Sequence, residues 1–206
     1  MSIVTKILII IAINIIDFVS APIHSSVSGT VFKVDTAVDA TGYRKPVIII
    51  NVEGDEWEET IDRSDKLETL AEHPELTPEE IVERIKQGGI TGMGGAGFPT
   101  GVKLGTDLEG GYILINAAEC EPGLKHNIMQ IENECDKVVR GVKYCMENSN
   151  AAKAIFAIKK KNEKAVKILK EALKDEAAIS IHLLPDIYPM GEERAVVRET
   201  LGIELE

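Results

Sequence analysis

Apolar and polar positions change their period along this chain, and the change divides it. Between Ala21 and Val52 short apolar runs alternate with turn residues: SAPIHSSVSG, then TVFKV, then DATGYRKP, then PVIIINV. β-Branched runs bounded by Gly, Pro, Ser and Asp predict strands joined by tight turns. Ahead of them Ile7 to Ile16 is apolar except for Asn14. A membrane-spanning helix needs roughly 20 apolar residues, so this run is too short to span. Its repeated Ile residues favour a buried strand, and the alternative is a membrane-facing or signal segment, with Val19-Ser20-Ala21 resembling a cleavage site and Pro22 fitting it badly. Gly54 to Glu59 (GDEWEE) is acidic and carries the single Trp. The polar run that follows reads as a linker, which places a boundary near residue 65, with a β-rich region over 1–65 and an α/β domain over 66–206.

Beyond the linker the period becomes helical. Thr77-Pro78-Glu79-Glu80 is a capping box with proline at the first helical position, Ile81, Val82 and Ile85 form a stripe, and Gly88-Gly89 supply the stop. After a glycine-rich stretch the pattern predicts a buried strand at Tyr112 to Asn116. A long helix follows from about Asn127, its positions Ile128, Ile131, Cys135, Val138, Val142 and Cys145 stepping by three and four. Then come a strand at Lys153 to Ile158, a Lys-rich helix at Asn162 to Lys174 and a strand at Ile179 to Leu184. Strands alternating with helices predict a parallel sheet with right-handed crossovers. Ligands of such sheets sit beyond the carboxyl ends of the strands, which directs attention to the segments after Asn116 and after Leu184.

Composition narrows the chemistry. Of 206 residues, 44% are hydrophobic and 28% charged, the balance of a globular chain of one or two domains. Lys and Arg number 23 against 34 Asp and Glu, a net charge of −11 that repels nucleic acid at long range. Cys120, Cys135 and Cys145 form no C-x-x-C pair, which reads as a reducing, cytoplasmic compartment and gives too few thiolates for an iron–sulfur cluster.

Residues 91–101 read TGMGGAGFPTG, five glycines in eleven positions. Gly92, Gly94 and Gly97 satisfy G-x-G-x-x-G, but the stretch follows a helix and runs into Pro99, so the dinucleotide context is missing. No Gly-Lys-Ser/Thr closes a Walker loop. The glycines still let the backbone approach a ligand closely and offer N–H groups to an anion, with Lys103 nearby to neutralise a phosphate. Phe and Pro among the glycines argue for a ligand-binding loop over a plain surface loop.

Two acidic clusters follow the strands. INAAECEPG places Glu119 and Glu121 just past Asn116, where carboxylates suit ribityl or ribose hydroxyls or an amide nitrogen. YPMGEERAV places Tyr188, Gly191, Glu192 and Glu193 after the last strand. There ligand contact and capping of the next helix are equally open. Cys120, flanked by two negative charges, is a poor nucleophile. His24, His73, His126 and His182 lack zinc-ligand spacing, and His126 alone lies near the proposed site. Lys159-Lys160-Lys161 reads as a solvated strand end, with a docking surface as the lesser alternative.

MGGAGFPTGVKL, INAAECEPG and YPMGEERA, in this order and spacing, resemble the flavin- and NADH-binding domain of the NADH-oxidising subunit of respiratory complex I. They resemble still more its relatives, the RnfC subunit of the Rnf complex and the RnfC-like protein associated with proline reductase. APIHSSVSGTV is similar to the barrel-sandwich region at the front of RnfC, so the resemblance covers the chain from about Phe18. It implies a Rossmann-like α/β domain holding FMN noncovalently, with NADH stacked on it and electrons leaving to iron–sulfur centres of an electron-transport complex. On matching positions, Gly92, Gly94, Gly95, Ala96 and Gly97 would form the flavin and nucleotide loop and Phe98 would sit against the adenine. Lys103, Asn116, Glu119 and Glu121 would contact the flavin or its phosphate side, with Tyr188, Gly191, Glu192 and Glu193 closing the pocket. The flavin does the redox chemistry, so no side chain need act as nucleophile or strong base, and no metal site is implied in this chain.

The departures are specific. Met93 stands where the complex I pattern has an arginine, Ala118 where it has an acidic residue, and Lys125-His126-Asn127 replaces Lys-Asp-Arg. The family continues with a soluble-ligand-binding module and cysteine-rich motifs, whereas this chain stops at Glu206, which implies a truncated or frame-disturbed product. The expected clusters then lie in the missing part or in partner subunits, with attachment to the cytoplasmic face of the inner membrane. The rival expectation is a non-catalytic scaffold of the same assembly. A phosphotransferase is disfavoured by the want of a Walker lysine.

Overall fold

The computed structural model describes residues 20–57, 61, 75–93 and 97–205. The apolar run Ile7 to Ile16, the boundary near residue 65, His73 and the loop residues Gly94, Gly95 and Ala96 lie outside them. The chain divides into two compact units. One is Met1–Leu76 with Glu83–Gly101, the other Thr77–Val82 with Val102–Glu206.

In the first unit, β1 (Gly29–Val38) and β2 (Arg44–Val52) pair antiparallel, with a register shift between Val31 and Lys33. Their turn is set by Asp39, whose Oδ1 accepts from the Thr41 amide at 2.9 Å. Gly42 completes it at φ +84, a left-handed conformation that side chains resist. Hydrogen bonding from Thr41 holds the Asp39 carboxyl below its ordinary range.

Helix α1 (Pro78–Gln87) starts on the capping box read from the sequence: the Thr77 amide donates to Glu80 Oε2 at 2.9 Å and the Glu80 amide to Thr77 Oγ1 at 3.3 Å. Its end is closed by Gly88 and Gly89, whose amides donate to the Arg84 and Lys86 carbonyls. A five-residue helix α2 (Thr100–Leu104) follows the glycine stretch.

The second unit is a three-layer α/β domain. Strands β3 (Tyr112–Ala117), β4 (Lys153–Lys159) and β5 (Ile179–Leu184) are parallel in the order β3-β4-β5. The crossover helices α3 (His126–Asn148) and α4 (Glu163–Ala172) cover one face. There Ile128, Ile131, Val139, Val142, Val166 and Leu169 pack on Phe156 and Ile158 of β4. Helix α5 (Glu193–Leu201) covers the other, Val196 packing with Ala118, Ala157, Leu184 and Met190. β4 alternates between the two layers, so its Phe156 and Ile158 are fully buried on one side and Ala157 on the other.

One helix carries a feature that its pattern does not show, and one expectation needs correction. The apolar stripe of α3 is continuous, yet the helix is kinked at Glu134 (φ −137, ψ 37). Lys159 is not a solvated strand end: it is only 5% exposed. As the last residue of the central strand it lies beside Leu184 in the sheet register. Its long stem is covered while the ammonium reaches Asp186 at 3.5 Å. Lys161 meets the same carboxylate at 2.8 Å, and this hydrogen bond above all holds the Asp186 carboxyl below its ordinary range. Among the described residues no helix is long and apolar enough to cross a membrane.

Candidate functional site

Parallel strands end at a common edge, so the segments after β3 and β5 emerge side by side around β4. The structure joins them at one residue. Asn116 Nδ2 donates to the Gly191 carbonyl at 2.8 Å while its Oδ1 accepts from the Ala118 amide at 3.2 Å. The Gly191 amide donates to Cys120 Sγ at 2.8 Å. A Cβ on Gly191 would stand 2.8 Å from that sulfur and 3.5 Å from Ala118 Cβ, so a side chain here would force the thiol aside.

Glu119 is the unusual carboxylate of the site. Its backbone takes φ +37, left-handed for a residue with a side chain. This turn carries the carboxylate back to the start of α3, where Oε1 accepts from the Asn127 amide at 2.8 Å and lies 3.4 Å from His126 Nδ1. Lys125, at the N-cap position, makes no side-chain capping bond, so Glu119 fastens the first turn from another segment and its charge suits the helix dipole. The side chain is 8% exposed. Its Oε2 is buried and, among the described residues, has no hydrogen-bond partner. Burying an acceptor without a donor costs on the order of 1–3 kcal/mol, more for a charged one, so such an atom calls for an explanation.

The remaining acidic residues are differently employed. Glu192 is the N-cap of α5, its Oε2 accepting from the Ala195 amide at 2.9 Å, so the capping alternative is what this side chain does here. Glu193 stands exposed in the first turn of α5, and Glu121 is exposed. Tyr188 is 81% exposed.

In the first unit the glycine stretch is fastened at its base. Thr91 and Pro99 form an antiparallel bridge, the Gly92 amide donates to the Phe98 carbonyl at 2.8 Å, and the Thr100 amide to the Ile90 carbonyl at 2.9 Å. Gly97 adopts φ +62, and a Cβ built there meets no atom of the described residues within 4 Å. Met93 and Phe98 are exposed. Lys103 is exposed on α2.

The residues present fit a polyhydroxylated flavin. The orphaned, nearly dry Glu119 oxygen is an acceptor awaiting an O–H or N–H donor, the chemistry of ribityl hydroxyls and ring imides. Sequence reasoning missed Cys120, which it weighed as a nucleophile and left without a role. Its partner Gly191 lies 71 positions away, a contact visible only once the topology is known. Among the described residues no group of three His, Cys, Asp or Glu side chains is placed to hold a metal ion.

The fold defines a three-layer α/β domain with acidic segments beyond the ends of its parallel strands. A family model described as the Nuo51 FMN-binding domain matches residues 85–206, more than half of the chain, and the chain belongs to that family. This is the complex I and RnfC grouping that the three motifs resemble. Cobalamin reductase PduS of Salmonella typhimurium is 42% identical over 118 residues, 57% of this chain and 25% of the relative. The C subunit of the Na(+)-translocating ferredoxin:NAD(+) oxidoreductase complex of Acetobacterium woodii is 32% identical over 190 residues, 91% of this chain and 42% of the relative. The C subunit of the ion-translocating oxidoreductase complex of Serratia proteamaculans is 30% identical over 189 residues, 90% and 26% of the two chains. Among solved structures, NAD+-reducing NiFe hydrogenase in its H2-reduced state is similar with a TM-score of 0.53 and 27% identity, covering 59% of this chain and 24% of that one. The chain thus spans less than half the length of each of these relatives.

Proposed function

We propose that this chain is the flavin-binding part of an RnfC-like electron-transfer subunit, holding FMN noncovalently and receiving electrons from NADH. When bound, the flavin supplies the step between two-electron hydride chemistry and one-electron transfer. The protein's own residues bind and orient. Glu119 Oε2 accepts from a ribityl hydroxyl or ring N–H, Glu121 and Glu193 add negative charge at the same strand-end edge, and Asn116 and Gly191 shape that edge. Gly92, Gly94, Gly95, Ala96 and Gly97 offer main-chain amides to phosphate, Phe98 takes the adenine, Lys103 neutralises anionic charge, and Tyr188 and Glu192 add contacts to the cofactor. The acceptors are iron–sulfur centres in partner subunits or in sequence outside this chain, and the assembly sits peripherally on the cytoplasmic face of the membrane.

The observation that carries this reading is the buried oxygen of Glu119, unpartnered among the described residues, at the carboxyl end of a parallel sheet. Titrating the purified chain with FMN tests it: quenching of flavin fluorescence with a saturable isotherm is expected, and no retention at micromolar FMN would sink the reading. NADH-dependent reduction of an artificial acceptor then tests the electron donor.

A second reading, a scaffold that keeps the fold without holding flavin, is favoured by Ala118 and by a Glu192 carboxylate already spent on a helix cap. Flavin retention by the isolated chain excludes it.

A further inference from the structure

We infer that Cys120 and Asn116 are positioning residues that grip Gly191 from two sides and so set the place of the Glu192 loop against the Glu119 loop. The inference rests on the flavin reading above. Both main-chain polar groups of Gly191 are engaged by the β3 segment, its amide by Cys120 Sγ and its carbonyl by Asn116 Nδ2, each at 2.8 Å. The residues around the grip are anchored. Ala118 and Met190 are buried in one cluster with Leu184 and Val196, so neither segment can shift without disturbing the α5 layer. The loop is also tight within itself, the Glu192 amide donating to the Pro189 carbonyl at 2.7 Å. Asn116 is doubly committed, because its Oδ1 accepts from the Ala118 amide and so fixes the amide group that reaches Gly191. The geometry explains the residue types. Sulfur reaches the Gly191 amide without a further methylene, the fork of an asparagine amide donates and accepts at once, and any side chain at 191 would collide with the sulfur. Glu119 and Glu192 lie one residue from this grip, one on each segment, so it sets the relation between the two carboxylates.

The test separates positioning from packing. Amide hydrogen exchange at Gly191 in the FMN-free chain reads the grip, and FMN fluorescence quenching reads its consequence. Cys120→Ala is expected to speed Gly191 exchange and to weaken FMN by about three- to tenfold, the scale of one neutral hydrogen bond. Cys120→Ser, which keeps an acceptor, restores both. Glu192→Gln, which keeps a capping oxygen, weakens FMN, and adding Cys120→Ala to it speeds exchange without weakening FMN further. Asn116→Asp, which keeps the acceptor for Ala118 and loses the donor to Gly191, gives the same pattern where Cys120→Ala does not fold. Faster exchange with unchanged FMN affinity, an equal FMN loss with and without Glu192→Gln, no effect of Glu192→Gln itself, or no rescue by serine overturns the inference. Wild-type protein that shows a protected Gly191 amide and fails to retain FMN overturns the flavin reading, and this inference with it. An unprotected Gly191 amide in a chain that retains FMN overturns the grip alone.

Discussion

Two acidic segments leave the same edge of the parallel sheet, and their carboxylates meet different fates. Glu119, after β3, is nearly buried, fastens a helix with one oxygen and leaves the other unpartnered among the described residues. Glu192, after β5, is exposed and spends an oxygen on the first turn of its own helix. In sequence the two read alike, as acidic residues past a strand end. Burial and hydrogen-bond accounting separate them: a buried acceptor lacking a donor calls for a ligand, whereas the N-cap carboxylate is exposed and has one oxygen already engaged.

The largest effect is expected from Glu119→Ala, which removes a charged acceptor, worth about 1.5–3 kcal/mol. FMN affinity measured by fluorescence titration should fall about ten- to hundredfold, and an unchanged isotherm would mean that the orphaned oxygen is not the ligand's partner. Gly191→Ala comes next. Its Cβ is forced to 2.8 Å from Cys120 Sγ, an overpacking that costs about 1–3 kcal/mol, read as a lowered urea midpoint at unchanged slope. Glu192→Ala should cost about 1 kcal/mol of stability through the lost cap, while Glu192→Gln costs less, so the pair isolates capping from any part in binding.

The smallest effect concerns Asp186 at the end of the central strand. Its carboxyl is held below the ordinary 3.8, chiefly by the hydrogen bond from Lys161. A depressed folded-state value makes its contribution present above that ordinary value and lost as pH falls through the lowered one. The melting-temperature advantage of the wild type over Asp186→Asn should therefore hold at neutral pH and vanish in strong acid. The gap should be modest because Asp186 is half exposed.

What the sequence revealed follows from the range of the interactions involved. The Thr77–Glu80 capping box, the Gly88-Gly89 stop and the alternation of strands and helices beyond Tyr112 are local patterns, and the structure repeats them within a few residues. Helix α2 carries too few residues to show a stripe, and the kink at Glu134 leaves the apolar spacing of α3 unbroken, so neither had a signature. Lys159 looked solvated because three lysines in a row suggest water. Its burial comes from sheet register, which places it beside Leu184 across 25 positions of sequence. In the candidate site, the residue types were legible and the roles were not. Nothing in the wording of INAAECEPG separates a carboxylate that turns left-handed toward α3 from one that faces solvent, and nothing in either motif announces that Cys120 meets Gly191.

Because α3 borrows its opening clasp from the strand-end loop, one carboxylate serves the helix and, on the flavin reading, the ligand as well. On that reading a molecule that meets the second oxygen is felt at Asn127, in the opening turn of a 23-residue helix whose straightness already fails at Glu134. Occupancy should then register as slower amide exchange in the opening turn of α3.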